Sequence, residues 1–165
     1  LWDGPISFVE GTSELENLID SDSSPVIAQQ LIFATNYQGR ITAFDIAQKR
    51  PVWNAEASSF HSPVIGSNML MVIQDDGSIL SFSMTNLSPS WNSEEYLRRE
   101  LSNGSMLNNL MLVGDLEGFI HIINPLTGIT LGRKKVSGNP IMRIVSFRNL
   151  AYAIDQESNI VAVSF

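Results

Sequence analysis

The chain contains no cysteine among its 165 residues. A disulfide framework and thiolate metal sites are therefore excluded, and the absence is compatible with any compartment. Histidine is nearly as scarce. His61 and His121 are the only two, they lie far apart in the chain, and neither HExxH nor an i, i+4 pairing is present, so no metal site is expected. No apolar run approaches the roughly 20 residues needed to span a bilayer as a helix. No signal peptide is visible, on a chain whose first residues read as truncated. Positive charge is also short. Ten Lys and Arg face 17 Asp and Glu, and the net charge of −7 disfavours nucleic acid as a partner, because a phosphate backbone would be repelled. The short basic stretches Arg98-Arg99 and Arg133-Lys134-Lys135 read as solvated loops. Catalytic motifs are missing too: there is no Gly-x-Ser-x-Gly elbow, no Ser/His/Asp order and no phosphate-binding glycine loop.

What is present is a repeat. Hydrophobic residues make up 44% of the chain, enough for a packed core. A segment recurs about every forty residues: apolar run, tight turn at a glycine, second apolar run, short loop, tryptophan. The copies are Leu31 to Trp53, Met69 to Trp91, Leu110 to Gly132 (with Gly132 in the tryptophan's place) and Leu150 to Phe165. A period of this length built from short strands marks a β-propeller with one four-stranded antiparallel blade per repeat. The fold expected is all-β, with about four blades present.

The turn positions are Gly39, Gly77, Gly118 and Ser158, spaced 38, 41 and 40 residues apart. Glycine suits a two-residue hairpin turn that needs positive φ. In the fourth turn Asn159 is the residue expected to take that conformation. Ile41, Ile79, Ile120 and Ile160 share the place two residues after the turn. Ser24-Pro25-Val26, Ser62-Pro63-Val64 and Asn139-Pro140-Ile141 open inner strands, where a proline costs no ladder bond. The blades then run 24–61, 62–102, 103–138 and 139–165, the last incomplete, with 1–10 as the outer strand of a preceding blade and 11–23 as an inserted loop. One spare leading strand and one missing final strand are the expectation for half of an eight-bladed ring. Two copies are expected to close it, each lending residues 1–10 to the other. The segment 92–103 reads as a short helix with Ser93 as N-cap and Tyr96, Leu97 and Leu101 as a small apolar stripe. Both it and 11–23 are expected to project from one end of the disc.

Ala43 to Trp53 resembles the tryptophan-docking motif of quinoprotein-type propellers. Ala43, Asp45 and Trp53 match, while Gln48-Lys49 replace its Thr-Gly turn. Thr127-Gly128 of the third repeat keep that turn, and the second repeat keeps Trp91. Such a ring wedges between blades and buries roughly 150–250 Å². Trp53, Trp91, Asp45, Gly39, Gly77 and Gly118 are therefore expected to be structural docking residues. The stretches ISFVEGTSELENLIDSDSSPV (6–26), ATNYQGRITAFD (34–45) and VGDLEGFIHIINPLTG (113–128) are similar to the BamB family, the lipoprotein propellers of the Gram-negative outer-membrane β-barrel assembly machinery. The likeness runs over essentially the whole chain and matches the C-terminal half of that family.

The resemblance implies an eight-bladed propeller tethered by an N-terminal lipid, on the periplasmic face of the outer membrane. It implies binding to the periplasmic POTRA region of BamA, unfolded outer-membrane proteins as a second class of partner, no cofactor and no catalysis. Asp20 and Asp22 read on their own as turn aspartates accepting backbone hydrogen bonds. The resemblance places them on the BamA-binding surface instead, beside a wall carrying Glu14, Glu16 and Leu18. The family's other contact loop, Leu-x-Leu-Arg, has no counterpart here, so reduced affinity is implied. His121 is expected to be structural and at a blade surface, and Asp75, Asp76 and Asp115 to be explained by turn chemistry. Two other readings remain open: a propeller interaction module of another family, and a fragment of a quinone-dependent dehydrogenase.

Overall fold

The computed structural model of the chain describes residues 23–37 and 39–165. It divides into two compact units, Leu1–Pro63 and Val64–Phe165. Among the described residues every regular element is a strand, and every sheet is an antiparallel meander. The described residues of the first unit form one sheet, in the order β1 (Val26–Ala28), β2 (Leu31–Thr35), β3 (Arg40–Asp45) and β4 (Arg50–Glu56). The second holds three. These are β5 (Val64–Gly66) to β8 (Pro89–Ser93), with β6 (Met69–Ile73) and β7 (Ile79–Ser83) between; β9 (Ser105–Leu107), β10 (Leu110–Gly114), β11 (Phe119–Ile123) and β12 (Thr130–Lys135); and β13 (Ile141–Phe147), β14 (Leu150–Asp155) and β15 (Ile160–Val163). The fold is the all-β propeller blade repeat, with three strands described in the last sheet.

Both faces of the middle strands are apolar because each sheet of the second unit lies against another. Met71 and Ile79 pack with Met111, Val113 and Ile123 of the following sheet. Leu112 and Ile120 pack with Ile144, Ala151 and Ala153 of the one after. The chain alternates around each strand, so odd and even positions serve different neighbours. The irregular start of the third repeat is a stitch between blades. Asn103 Nδ2 donates to the Ile144 carbonyl at 3.0 Å, and its Oδ1 accepts from the Ile144 amide at 3.1 Å. Ser105 Oγ likewise accepts from the Ser146 amide at 3.0 Å.

The glycine turns differ from the two-residue form expected. Gln74 N donates to Ser78 O and Gly77 N to Gln74 O, closing a three-residue loop with Gly77 at φ +94. The same bonds join Asp115 with Phe119 around Gly118, at φ +82, and Asp155 with Asn159 around Ser158. This is the three-residue hairpin whose last loop residue is left-handed. In the fourth turn that residue is Ser158, at φ +65, and not Asn159. Asn159 instead donates its side-chain amide to Asp155 Oδ2 at 3.1 Å.

A second regularity lies on the outer strands. Each carries a bulge at the same place, opposite Ala43/Phe44, Ser81/Phe82 and Ile122/Ile123. The extra residues are Val52, Ser90 and Leu131, each just before the tryptophan position. A bulge bends and twists the outer strand and so re-aims the following side chain.

Residues 92–103 are not a helix. Ser93 ends β8, residues 95–98 form a turn, and Arg98 and Glu100 have φ of +62 and +46. Left-handed residues two apart cannot continue a helix. Nor does the segment project: Tyr96 is 1% exposed and belongs to the core cluster with Leu101.

Candidate functional site

The acidic segment singled out in the sequence, with Glu14, Glu16, Leu18, Asp20 and Asp22, lies outside the described residues. Its attachment point is described. Ser23, directly after Asp22, donates its hydroxyl to the Thr35 carbonyl at 2.9 Å and lies 2.8 Å from the Thr35 hydroxyl. Thr35 Oγ1 in turn donates to the His61 carbonyl at 2.8 Å. Three chain segments therefore meet at the end of β2. The turn that follows β2 presents Tyr37, which stacks on Phe60 with centroids 4.3 Å apart. Both rings are well exposed, at 37% and 45%. Asn36 anchors this turn: its Oδ1 accepts from Arg40 N at 2.7 Å, and its carbonyl accepts from Ser59 N at 3.2 Å. A Cβ at Gly39 would collide with the Asn36 side chain, which gives that glycine a steric reason.

The densest group of ionisable side chains among the described residues sits in the second unit, between the sheets β5–β8 and β9–β12. Asp115, fully buried, follows β10. Its Oδ2 lies 2.6 Å from His121 Nε2 and accepts from Arg99 Nη2 at 2.6 Å and Nε at 3.0 Å. Its Oδ1 accepts the turn amides of Glu117 and Phe119 at 3.0 and 2.9 Å. Arg99 also reaches Glu117 at 2.7 Å. Burial opposes the charge on Asp115, but the bonds from His121, the Phe119 amide and Arg99 together outweigh it and hold the carboxyl below its usual range. The bond to Asp115 holds the Arg99 guanidinium above its own.

Tyr96 meets the His121 ring edge-on, with centroids 4.9 Å apart. Its hydroxyl is paired with Thr130, which donates to Glu95 at 2.6 Å. Burial pushes the Tyr96 hydroxyl up to about 12. An Asp–His pair is half of a general-base arrangement, but a base must reach a substrate. Here His121 is 3% exposed, its Nε2 faces the carboxylate, and the adjacent phenol stays protonated. The group works as a brace between blades. Three expectations change accordingly. His121 is buried and not at a surface, and Asp115 does more than shape its own turn. Arg99 likewise is an ion-pair partner and not a solvated loop residue, while Arg98 is exposed. Arg133 and Lys135 lie over the Phe119 ring, at 4.8 and 5.2 Å from its centroid.

The ring of Trp91 reaches the third repeat. Its Nε1 donates to the Pro125 carbonyl at 2.9 Å. Gly128, at φ +72, lies beneath it so closely that a Cβ there would stand 2.6 Å from the ring. The loop Asn124 to Ile129 is thus a seat for the indole. Glycines 77 and 118 serve a similar purpose. A Cβ on either would strike a backbone carbonyl, of Tyr96 or Ser137, where the next connection crosses the turn. Trp53 is half-buried on β4 and pairs with Ala43. Asp45 Oδ1 accepts from Gln48 N at 2.7 Å and closes the turn after β3. Sequence reasoning missed the Arg99–Asp115–His121 group; the aspartate opening the third and fourth turns, Asp115 and Asp155, was the available signal. Among the described residues no group of three His, Asp or Glu is placed to hold a metal ion.

Comparison with known proteins gives one family. The family model described as "Outer membrane protein assembly factor BamB" matches residues 1–93. Curated relatives of that name include those of Aliivibrio fischeri, 38% identical over 141 residues, and Bordetella pertussis, 35% over 142. Each alignment covers 86% of this chain and 37% of the relative, so the chain spans well under half the length of the curated relatives it matches. Among solved structures, BamB from Moraxella catarrhalis superposes with a TM-score of 0.90 at 22% identity, over 100% of this chain and 49% of that one. The computationally designed Ika4 protein superposes with a TM-score of 0.76 at 12% identity, over 99% of both chains. At these identities the superpositions establish the fold.

Proposed function

The chain belongs to the family of the outer-membrane protein assembly factor BamB, and from that membership we propose that it is a non-catalytic propeller scaffold for outer-membrane β-barrel assembly. It works at the periplasmic face of the outer membrane of a Gram-negative bacterium. It holds the periplasmic POTRA region of BamA and assists delivery of unfolded barrel proteins. A lipid on the full-length protein supplies the tether. The observation that carries this reading is the family match over residues 1–93, which takes in the whole acidic segment with Glu14, Glu16, Leu18, Asp20 and Asp22.

Two features support the placement of the contact. Asp22 precedes Ser23 in the sequence, and Ser23 is bonded to Thr35. The turn after Thr35 presents the exposed Tyr37–Phe60 stack, and exposed aromatic anchors are a common feature of protein interfaces. One carboxylate docks a basic or N–H-rich patch on BamA and the other orders the loop. Calorimetric titration of the chain with the POTRA region tests this. Asp20→Arg with Asp22→Arg is expected to weaken binding at least tenfold. Unchanged affinity would remove the segment from the interface. We propose too that two copies of the chain associate with one another to close a ring.

A further inference from the structure

We infer that Asn103 is a site of spontaneous deamidation gated by the junction between the sheets β9–β12 and β13–β15. The packed junction protects it, and its conversion prevents the junction from closing as before. The inference goes beyond the partner reading above and does not depend on it.

Asn103-Gly104 is the only Asn-Gly pair in the chain. In such a pair the backbone nitrogen of the glycine attacks the side-chain amide carbon of the asparagine, because no Cβ shields it. A bond forms between Gly104 N and Asn103 Cγ, and the Cγ–Nδ2 bond breaks. Nδ2 leaves as ammonia, with the proton that Gly104 N gives up. The cyclic imide then takes up one water and opens to an aspartyl or an isoaspartyl residue. Neither an oxidant nor a reductant is involved.

Two demands of the junction put this pair together. Asparagine meets both backbone groups of Ile144: its Nδ2 donates to the carbonyl at 3.0 Å, and its Oδ1 accepts from the amide at 3.1 Å. A carboxylate has no donor for the first of these bonds. Glycine follows because a Cβ at position 104 would stand 2.7 Å from Val64 Cγ2 and 3.0 Å from Met111 Cε. The packing thus selects the chemically labile dipeptide.

The same contacts hold the reaction off. Ile144, itself 1% exposed, grips both polar atoms of the flat amide. Attack makes Cγ tetrahedral and turns those atoms out of their plane, so both bonds to Ile144 must break first. Ser105 locks the adjoining position to Ser146, with its Oγ 3.0 Å from the amide and 2.8 Å from the hydroxyl. Reaction therefore waits for the two sheets to part locally, an event with its own free energy. Afterwards the change is one-way. An aspartyl side chain sets a carboxylate oxygen against the Ile144 carbonyl, and an isoaspartyl residue adds a carbon to the main chain ahead of Gly104. Neither restores the clamp.

Incubation of the 165-residue chain at mildly alkaline pH, followed by tryptic peptide mapping and tandem mass spectrometry, measures the reaction. Asn103 lies in the peptide Glu100–Arg133, which also carries Asn108 and Asn109 as internal controls. Each control is followed by a residue with a Cβ, and both are expected to stay intact while Asn103 converts in urea. Asn103 in the folded chain is expected to react at least about tenfold more slowly than in urea. Ser105→Ala removes the neighbouring lock and leaves the pair itself in place. It should raise the folded-state rate about fivefold relative to its own rate in urea. Asn103→Asp, which carries the aspartyl product, should lower the urea midpoint of unfolding. Equal rates in the folded chain and in urea, or a folded-state rate that Ser105→Ala leaves unchanged, would refute the gate. Intact Asn103 in urea, or controls that convert as fast, would refute the site. An unmoved midpoint in Asn103→Asp would refute the loss of the clamp.

Discussion

The indole of Trp91 and the α-carbon of Gly128 occupy adjoining space, and that pairing yields a double-mutant cycle with a definite sign. Gly128→Ala alone faces two costs. The residue sits at φ +72, where an L side chain loses about 1–2 kcal/mol. Its Cβ would also stand 2.6 Å from the indole, and overpacking of this kind costs about 1–3 kcal/mol. The sum is about 2–5 kcal/mol. Trp91→Ala alone should cost about 3 kcal/mol, the low end for truncating a large aromatic, because the ring is partly exposed. That figure includes the loss of the 2.9 Å bond to the Pro125 carbonyl, which Trp91→Phe isolates at about 1 kcal/mol. In the double variant the ring is gone, and of the two costs of Gly128→Ala only the one from positive φ remains. The two substitutions should therefore be less than additive by about 1–3 kcal/mol. Urea unfolding followed by far-UV circular dichroism measures all four corners. Coupling below about 0.5 kcal/mol would mean that the ring is not seated on Gly128, and the account of Trp91 as a fastener between the second and third repeats would fail.

Asp115 is held below the usual carboxylate range, so the stability it provides is present above its unfolded value of about 3.9 and is lost as pH falls through the lower folded value. Asp115→Asn keeps the turn acceptor but not the charge. It should cost about 3 kcal/mol at pH 7, the low end for breaking a buried pair since Glu117 still holds Arg99, and it should flatten the loss of stability below about pH 4 in acid titrations. A steep acid transition that Asp115→Asn leaves unchanged would place the sensitive group elsewhere; Asp155, also held low, first by the Ser137 hydroxyl and then by Asn159, is the control. Ser158→Gly relieves a left-handed serine at the position that is glycine in the other turns, and should raise stability by about 0.5–1 kcal/mol in thermal melts. Tyr96→Phe removes the hydroxyl paired with Thr130 inside a packed cluster and should cost about 1 kcal/mol, read by urea denaturation with Thr130→Val as the partner arm of the cycle.

Much of the fold was legible because the repeat is local. Apolar runs, a turn glycine and a tryptophan recur in order along the chain, and each is fixed by its own neighbours in sequence. The turn itself was legible only in part. Gly77 and Gly118 signal positive φ, yet the three-residue loop follows from the Gln74–Ser78 and Asp115–Phe119 bonds, which composition does not encode. The segment 92–103 was misread for a reason of the same kind. Glu94, Tyr96, Leu97 and Leu101 have helical spacing, but the bond from Arg98 N to Asp76 O fixes the backbone from outside the segment. Arg99 and Asp115 are 16 residues apart, on a connection and a turn of different repeats. Nothing in either neighbourhood indicates the other. The proposed partner residues between Glu14 and Asp22 rest on family likeness alone, since an aspartate before a strand has an adequate local explanation.

The two blade junctions of the second unit solve one problem in different ways, and the difference locates where function can be added. Without cysteine, each junction depends on close packing plus polar clamps. The junction between the second and third repeats uses an indole seat and the Arg99–Asp115–His121 brace. The next uses Asn103 and Ser105, whose short side chains bond to the backbone of β13. Repeat stability is a sum of blade terms and nearest-neighbour terms, so each clamp protects its own junction and little else. The loops and insertions that cross the turns are then free to vary in chemistry without unseating the blades, provided the glycines beneath them remain. The proposal made above for the acidic segment ahead of Ser23 fits this rule: it adds a partner contact while the strands that follow keep the regular pattern.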